Sequence, residues 1–237
     1  MTACFCTLAF GGPYRRMARS LIAQLGGVPF VLFTDEPDDF ADLPVTALRH
    51  TPTGPMAVDY HAHPEYLGTG TARGAAAYHD KRFVLAAALE RHPTAVFLDA
   101  DSRVEGALPP LGPIPGGLAV RPFEPETVLV HLERWGRNRL PAFVGLASTV
   151  YGGEDALARA EWVYESCFAV TADGREAEFF EAWGAGADHL QSGGLFSGEG
   201  GVIGLAAAAV GWRLDHESLA AVGAAIIHLG GGPRADG

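Results

Sequence analysis

The chain has 237 residues, of which 48% are hydrophobic and 19% are charged, so it carries enough apolar material for the core of one large domain. Its 28 acidic residues exceed its 17 basic residues by 11, and this net negative charge disfavours binding to the phosphate backbone of a nucleic acid. We therefore expect a folded protein that does not bind nucleic acid.

The beginning of the chain predicts a βαβ unit. Residues 4–10 form an apolar run that ends in Gly-Gly-Pro, a sequence typical of a turn after a strand. Apolar residues at helical spacing follow over residues 14–25. A second apolar run at residues 28–33 is closed by acids and a proline, which end a buried strand. This order of elements is typical of an α/β fold.

A long loop separates this unit from the next helix and strand. Residues 50–72 are rich in His, Pro, Gly and Thr and lack periodicity, so we predict a loop that lies over a ligand. Residues 75–91 are predicted to form a helix, which a His-Pro pair ends, and residues 95–98 are predicted to form a buried strand. Two acids, Asp99 and Asp101, follow that strand.

The second half of the chain is less regular and contains no internal repeat, so the whole chain is predicted to be one domain. Its predicted elements are strands at residues 117–120, 167–171 and 226–228 and helices at residues 177–183 and 201–210.

The cysteines and the N-terminus indicate a cytoplasmic protein. Cys4, Cys6 and Cys167 are few and odd in number, which favours reduced thiols over a disulfide framework. The apolar residues 1–10 have no basic region and are too short to cross a bilayer, so no export or membrane segment is predicted. Lys81 is the only lysine beside 16 arginines, an imbalance that we attribute to coding bias and not to function.

Asp99 and Asp101 carry the strongest chemical signal. Side chains two residues apart on an extended chain point to the same side, and open α/β sheets bind ligands at the carboxyl ends of their strands. Two carboxylates there can share one hard divalent cation, which prefers oxygen ligands and often shares them with substrate phosphates. The alternative is a pair of solvated acids that ends a strand.

Two further segments complete a pattern around these acids. Residues 78–83 (Tyr-His-Asp-Lys-Arg-Phe) stand about seventeen residues before Asp99, and Gly231 and Arg234 follow His228 by three and six residues. This pattern resembles the nucleotide-sugar-dependent glycosyltransferases of the GT-A fold, closest to the group of glycogenin and bacterial galactosyltransferases. Those proteins have Tyr-x-x-Arg before the aspartates and His-x-x-Gly-x-x-Lys-Pro near the end; here arginine replaces the lysine, and no proline follows it.

The resemblance implies an α/β fold, a single GT-A domain over residues 1–237 whose Rossmann-like mixed sheet is flanked by helices. Residues 1–105 would bind the nucleotide sugar and residues 106–237 would form the acceptor side. The implied activity is the metal-dependent transfer of a hexosyl group from a nucleotide-diphosphate donor, most simply a UDP-sugar, to a hydroxyl acceptor. Mn²⁺ or Mg²⁺ would be the cofactor, and donor and acceptor would both be small molecules.

The resemblance also implies which residues hold the metal and the diphosphate. Asp99, Asp101 and His228 would bind the metal, and Asp99 would contact the donor as well. Arg82 and Arg234 would hold the donor diphosphate, whose negative charge grows as the glycosidic bond breaks. Arginine binds as a planar fork and not as a point charge, so the geometry at Arg234 would differ from that of a lysine.

The nucleoside and the acceptor are assigned in the same way. Asp101 and Glu199 are the implied catalytic residues, and Glu199 stands where related transferases have an acidic or amide residue beside the acceptor. A carboxylate there can orient an acceptor hydroxyl, take its proton or stabilise positive charge on the sugar. The alternative for Glu199 is a carboxylate favoured by the dipole at a helix start. The residues implied to lie around the nucleoside are Leu8, Ala9, Phe10 and Tyr14.

Other functions stay open at this point. A sugar-1-phosphate nucleotidyltransferase has a related sheet and a glycine-rich, basic first loop, which residues 11–16 loosely resemble, but it needs a lysine about ten residues further on, and Gln24 is nearby instead. A non-catalytic nucleotide-sugar-binding protein would use the same pocket without the chemistry. A phosphatase of the haloacid dehalogenase type is disfavoured, because Arg103 stands where that class has Thr or Val.

Overall fold

The computed structural model describes residues 3–53 and 75–229, in which strands and helices alternate. The strands are β1 (Cys4–Ala9), β2 (Phe30–Thr34), β3 (Thr46–Arg49), β4 (Thr94–Leu98), β5 (Ser102–Val104), β6 (Gly117–Val120), β7 (Cys167–Thr171), β8 (Leu214–Asp215) and β9 (Ile226–His228). The α-helices are α1 (Gly11–Gln24), α2 (Lys81–Leu89), α3 (Val128–Trp135), α4 (Leu140–Val150), α5 (Ala156–Arg159), α6 (Glu176–Ser192), α7 (Glu199–Ala209) and α8 (Ala220–Ala225). Short 3₁₀ helices cover Pro37–Phe40 and Ala75–Asp80.

Seven of these strands form one sheet in the order β3-β2-β1-β4-β7-β6-β8. The strands β3, β2, β1 and β4 run parallel, β7 runs antiparallel to both of its neighbours, and β8 is parallel to β6. The strands β5 and β9 pair antiparallel outside this sheet. The prediction of an α/β fold with a mixed sheet flanked by helices is confirmed. Strands from both predicted halves join the same sheet, whereas the functional division at residue 105 stays a prediction.

Helices cover both faces of the sheet because its central strands are apolar on both sides. All five residues of β4, the middle strand, are buried. Ala95 and Phe97 belong to the core formed with α2, α6 and α7, and Val96 and Leu98 belong to the core formed with α1 and α8. Asp99 and Asp101 therefore follow a strand that is packed against helices on both faces.

Most predicted elements are confirmed, with differences at their ends. The strands β6, β7 and β9 have the predicted bounds. The helix predicted over residues 75–91 begins as a 3₁₀ helix and becomes α2 only at Lys81. The helix predicted at residues 201–210 begins earlier, at Glu199. Glycines at positions 200 and 201 weaken the helical signal in the sequence, because glycine is a poor helix former.

The sequence did not predict β3, β5, β8 or the helices α3 to α5 and α8. The strand β3 lies at the edge of the sheet, is at most half-buried and lacks the strong apolar signal of its neighbours. The sequence does mark the start of α3 with Thr127, a residue type that is favoured at the N-cap. In the structure its hydroxyl accepts the N–H of Val130 at 3.3 Å.

Three further predictions meet the structure here. Cys4, Cys6 and Cys167 are buried and free. In the described part of the chain, none of the helices combines the length and the apolar character needed to cross a bilayer. The loop predicted at residues 50–72 lies outside the described residues from position 54 onward, and so do Gly231 and Arg234.

The glycines of α7 allow this helix to pack directly on the segment that precedes β7. A Cβ atom at Gly204 would collide with the backbone carbonyl oxygen of Glu161, and one at Gly201 would lie 2.9 Å from the Trp162 ring. The N–H of Val163 donates to the carbonyl of Gly200 at 3.2 Å. This close contact fixes the start of α7 against the edge of the sheet.

We expect Gly204→Ala to lower the free energy of unfolding by about 1–3 kcal/mol, because the added methyl group meets rigid backbone. The measurement is urea denaturation followed by circular dichroism. Gly112→Ala is the matched control, since a Cβ at Gly112 meets nothing within 4 Å. Equal stability of the two variants would contradict the packing described for α7.

Candidate metal centre

The two aspartates lie at the point where the strand order of the sheet reverses. The strands β2 and β3 continue to one side of β1, whereas β4 pairs on its other side, and open α/β sheets bind ligands outside the carboxyl ends of strands at such a switch point. The backbone holds the aspartates in place: the N–H of Asp99 donates to the carbonyl of Ser166 at 3.0 Å, and the N–H of Leu229 donates to the carbonyl of Asp101 at 3.1 Å.

His228 reaches these acids from the other end of the chain. It ends β9, and β9 pairs with β5 so that His228 lies opposite Ser102, directly after Asp101. Its Nε2 atom lies 3.1 Å from Oδ1 of Asp101 and 3.6 Å from Oδ2 of Asp99. One ligand atom from each of the three side chains lies within 4.8 Å of the other two. The structure thus brings together the three residues predicted to bind a metal.

The charges in this cluster reinforce one another. Burial works against ionisation of Asp101, but the hydrogen bond with His228 and the charge on that imidazole hold the pKa of Asp101 below its ordinary value. The same hydrogen bond raises the pKa of His228, and burial only partly opposes it. The carboxylate that accepts from the imidazole is therefore ionised at neutral pH and available as a ligand.

The only lysine of the chain joins the cluster to a second acidic group. The Nζ atom of Lys81 lies 3.0 Å from Oδ1 of Asp99 and 3.3 Å from Oε1 of Glu199, and it donates to the carbonyl of Glu165 at 3.0 Å. The Lys81 side chain is only 3% exposed. Lys81 was not among the site residues predicted from the sequence, where its uniqueness was attributed to coding bias. The Tyr-x-x spacing from Tyr78 was the signal that could have found it.

Glu199 and Glu165 form the acidic group on the far side of Lys81. Glu199 is the first residue of α7, after Gly198, whose φ of 91° is readily adopted only by glycine. The Glu165 carboxyl lies against α7, where a Cβ at Gly200 would be 2.7 Å from its Oε2 atom. Burial and the charge of Glu199 raise the pKa of Glu165 to about 7, although Lys81 opposes this shift.

The residues predicted to hold the nucleoside lie beside this centre. Leu8 and Ala9 end β1 and Phe10 follows it, next to β4 in the sheet. Gly11 begins α1, and its N–H donates to the carboxylate of Asp35 at 3.1 Å. Burial, then the charges of Asp101 and Asp99, raise the pKa of Tyr14.

The Arg82 side chain contacts residues near it in the chain and not the aspartates. Its Nη1 atom donates to the carbonyl of His79 at 2.9 Å, and its guanidinium carbon lies 4.2 Å from the centroid of the Phe83 ring. The basic side chain that contacts Asp99 is that of the preceding residue, Lys81. The predicted contact of Arg82 with a donor stays a prediction, and the one for Arg234 concerns a residue outside the described part of the chain.

No model of a known protein family matches the chain, and no curated protein matches it either. Any functional assignment therefore depends on the cluster of two aspartates and a histidine, on the buried lysine beside it and on their position at the switch point of the sheet.

We expect Glu165→Gln to reduce the loss of stability that the protein shows as the pH rises. A carboxyl with a raised pKa favours the fold below its ordinary pKa of 4.5, and this contribution is lost as the pH rises through about 7. Urea denaturation at pH 5 and pH 8 measures the difference. Glu178→Gln, at an exposed position of α6, is the control. The same pH dependence in both variants would contradict a buried, readily protonated Glu165.

Proposed function

We propose that this protein is a metal-dependent glycosyltransferase, which moves a sugar from a nucleotide-diphosphate donor to a hydroxyl acceptor. The observation that carries the proposal is the convergence of Asp99, Asp101 and His228 at the switch point of the sheet, beside the ion pair of Lys81 and Glu199. A donor bound there would have its diphosphate beside the metal ligands and its sugar beside Glu199.

The residues of the cluster fit a divalent cation such as Mn²⁺ or Mg²⁺. Two carboxylates and an imidazole supply the oxygen and nitrogen ligands that Mn²⁺ accepts. The Nε2 atom of His228 lies 3.1 Å and 3.6 Å from oxygens of Asp101 and Asp99, near the separation of about 3 Å expected between adjacent ligands when metal–ligand bonds are about 2.1 Å long. A bound divalent cation would neutralise charge on the diphosphate oxygens.

The side chains around the cluster have distinct tasks in this proposal. Lys81 holds one oxygen of Asp99, so the other oxygen faces His228 and the cluster. Glu199 is paired with Lys81 and only 5% exposed, which suits it to stabilise positive charge on the sugar as the bond to the leaving diphosphate breaks. A carboxylate in this environment is better placed for electrostatic stabilisation than for taking a proton from a solvated acceptor.

One observation favours this function over sugar-1-phosphate nucleotidyl transfer. That reaction uses a glycine-rich, basic first loop, but residues 11–16 here begin the helix α1, and Arg15 is paired with Asp35 at 2.7 Å and with Asp39 at 2.6 Å. A non-catalytic nucleotide-sugar-binding protein is separated from a transferase by the second experiment below.

The proposed partners are a small-molecule donor and a small-molecule acceptor, with a UDP-sugar as the simplest donor. We place the protein in the cytoplasm. The three buried, free cysteines support this location, because a reducing compartment keeps thiols unpaired.

Asp101→Asn tests the metal site. Calorimetric titration with UDP and with GDP, each with and without Mn²⁺, should show metal-dependent binding of one nucleotide to the unchanged protein. The substitution removes one anionic ligand, so we expect that binding to weaken about tenfold or more. Asp38→Asn, at an exposed position, is the control. Equal affinities with and without metal in both proteins would exclude the metal centre.

Glu199→Gln tests the catalytic proposal. The amide keeps the shape of the side chain but removes its charge, so release of UDP from UDP-sugars should fall about 100-fold. Metal-dependent nucleotide affinity should stay within about twofold, because Glu199 is not one of the three predicted metal ligands. Glu178→Gln again serves as the control. Undiminished turnover in Glu199→Gln would remove this residue from the mechanism, and absence of turnover in the unchanged protein would indicate a nucleotide-sugar-binding protein.

A further inference from the structure

The ends of four neighbouring strands line the edge of the sheet that carries the metal cluster. Their order is β1, β4, β7 and β6. Because β7 is antiparallel to both neighbours, its start lies beside the ends of β4 and β6: Leu98 pairs with Cys167, and Val120 pairs with Phe168. Neighbouring strands are about 4.8 Å apart. Asp99 thus has the end of β1 on one side and, on the other, the start of β7 and the end of β6.

This order gives a donor one direction along the edge. The proposed function places the nucleoside beside Leu8 and Ala9, at the end of β1, which is the neighbour of β4 in the sheet. The diphosphate then lies at the end of β4, and the sugar extends towards β7. An acceptor must approach that sugar from the part of the edge that the donor leaves open, which is formed by the start of β7 and the end of β6.

Two aromatic rings lie at this open part of the edge. Phe123 follows β6 and Tyr164 precedes β7; their ring centroids are 5.9 Å apart and their planes differ by 21°. Phe123 is 43% exposed, which is unusual for a large apolar side chain in this protein. We call these two residues, together with Arg121, the aromatic ledge.

Arg121 connects the two aromatic rings to the element that carries His228. Its guanidinium carbon lies 5.9 Å from the centroid of the Tyr164 ring. Its aliphatic part packs on α8, where a Cβ at Gly223 would lie 2.7 Å from Cγ of Arg121. Since α8 continues directly into β9, the ledge and the metal ligand His228 are held by the same stretch of chain.

The chemistry of the ledge fits a sugar ring. A pyranose has C–H groups on its faces and hydroxyl groups around its rim. Aromatic faces carry negative charge density and attract the C–H groups, while a guanidinium donates hydrogen bonds to hydroxyl oxygens. A nucleobase can also stack on aromatic rings, but the nucleoside side of the proposed donor lies across β4, at β1.

We propose that Phe123, Tyr164 and Arg121 bind a pyranose ring of a carbohydrate acceptor. This inference rests on the proposed function, which supplies the position of the donor. It assigns an acceptor class where the resemblance to glycosyltransferases implied only a hydroxyl group.

The test is saturation-transfer NMR with the methyl pyranosides of glucose, galactose and mannose, in the presence of Mg²⁺ and with and without UDP. At least one pyranoside should receive saturation at its ring protons from the unchanged protein. Phe123→Ala should weaken its binding about five- to tenfold, because a stacking surface is lost. Phe123→Tyr keeps that surface and should bind within about twofold. Trp135→Ala, which removes another exposed ring (68%), is the control and should also bind unchanged.

Two results would overturn the proposal: no saturation of any pyranoside in the presence of UDP and Mg²⁺, or equal binding by Phe123→Ala and the unchanged protein. Weaker UDP affinity in Phe123→Ala would assign the ledge to the nucleobase and would overturn it as well. Failure of the proposed function looks different. No nucleotide would then bind with metal to any variant, while pyranoside binding without UDP would still depend on Phe123.

Discussion

The rest of the site depends on the ion pairs made by the buried ammonium group of Lys81. This group lies between Asp99, which follows β4, and Glu199, which begins α7, while Lys81 itself begins α2. A positive charge at a helix start is unfavourable, and so is the burial of any charge without a partner. Burial alone would lower the pKa of Lys81, but Asp99 and Glu199 outweigh it and hold the pKa above its ordinary value. Three elements are thereby fixed at one point.

The strands that form the middle of the sheet could be predicted because they are apolar throughout. Residues 95–98, 117–120 and 167–171 have the high apolar content that complete burial requires, and the structure contains them as parts of β4, β6 and β7. The strand β3 could not be predicted, since an edge strand is stabilised by one neighbour and needs little apolar character. The start of α7 could not be predicted because Gly200 and Gly201 are poor helix formers, which the close packing of this helix requires.

The candidate site was predictable where its residues are close in sequence and less so where tertiary contacts assemble it. Asp99 and Asp101 follow from one strand. The role expected for His228 came from a resemblance, because the pairing of two three-residue strands, β5 and β9, has no signal in either strand alone. Lys81 was missed because Glu165 and Glu199 lie 84 and 118 positions away. Spacing to Asp99 favoured Arg82, whereas a helix that starts at position 81 directs the preceding basic residue to the acids.

The burial of the chain's single lysine has a consequence for its covalent chemistry. Amine-directed reagents react only with the neutral, nucleophilic amine. The side chain of Lys81 is 3% exposed, paired with two carboxylates and held protonated. Apart from the amino terminus, the folded protein therefore offers such reagents no reactive amine until the elements around Lys81 separate. Labelling of this one side chain would report the opening of the site itself, without interference from surface lysines.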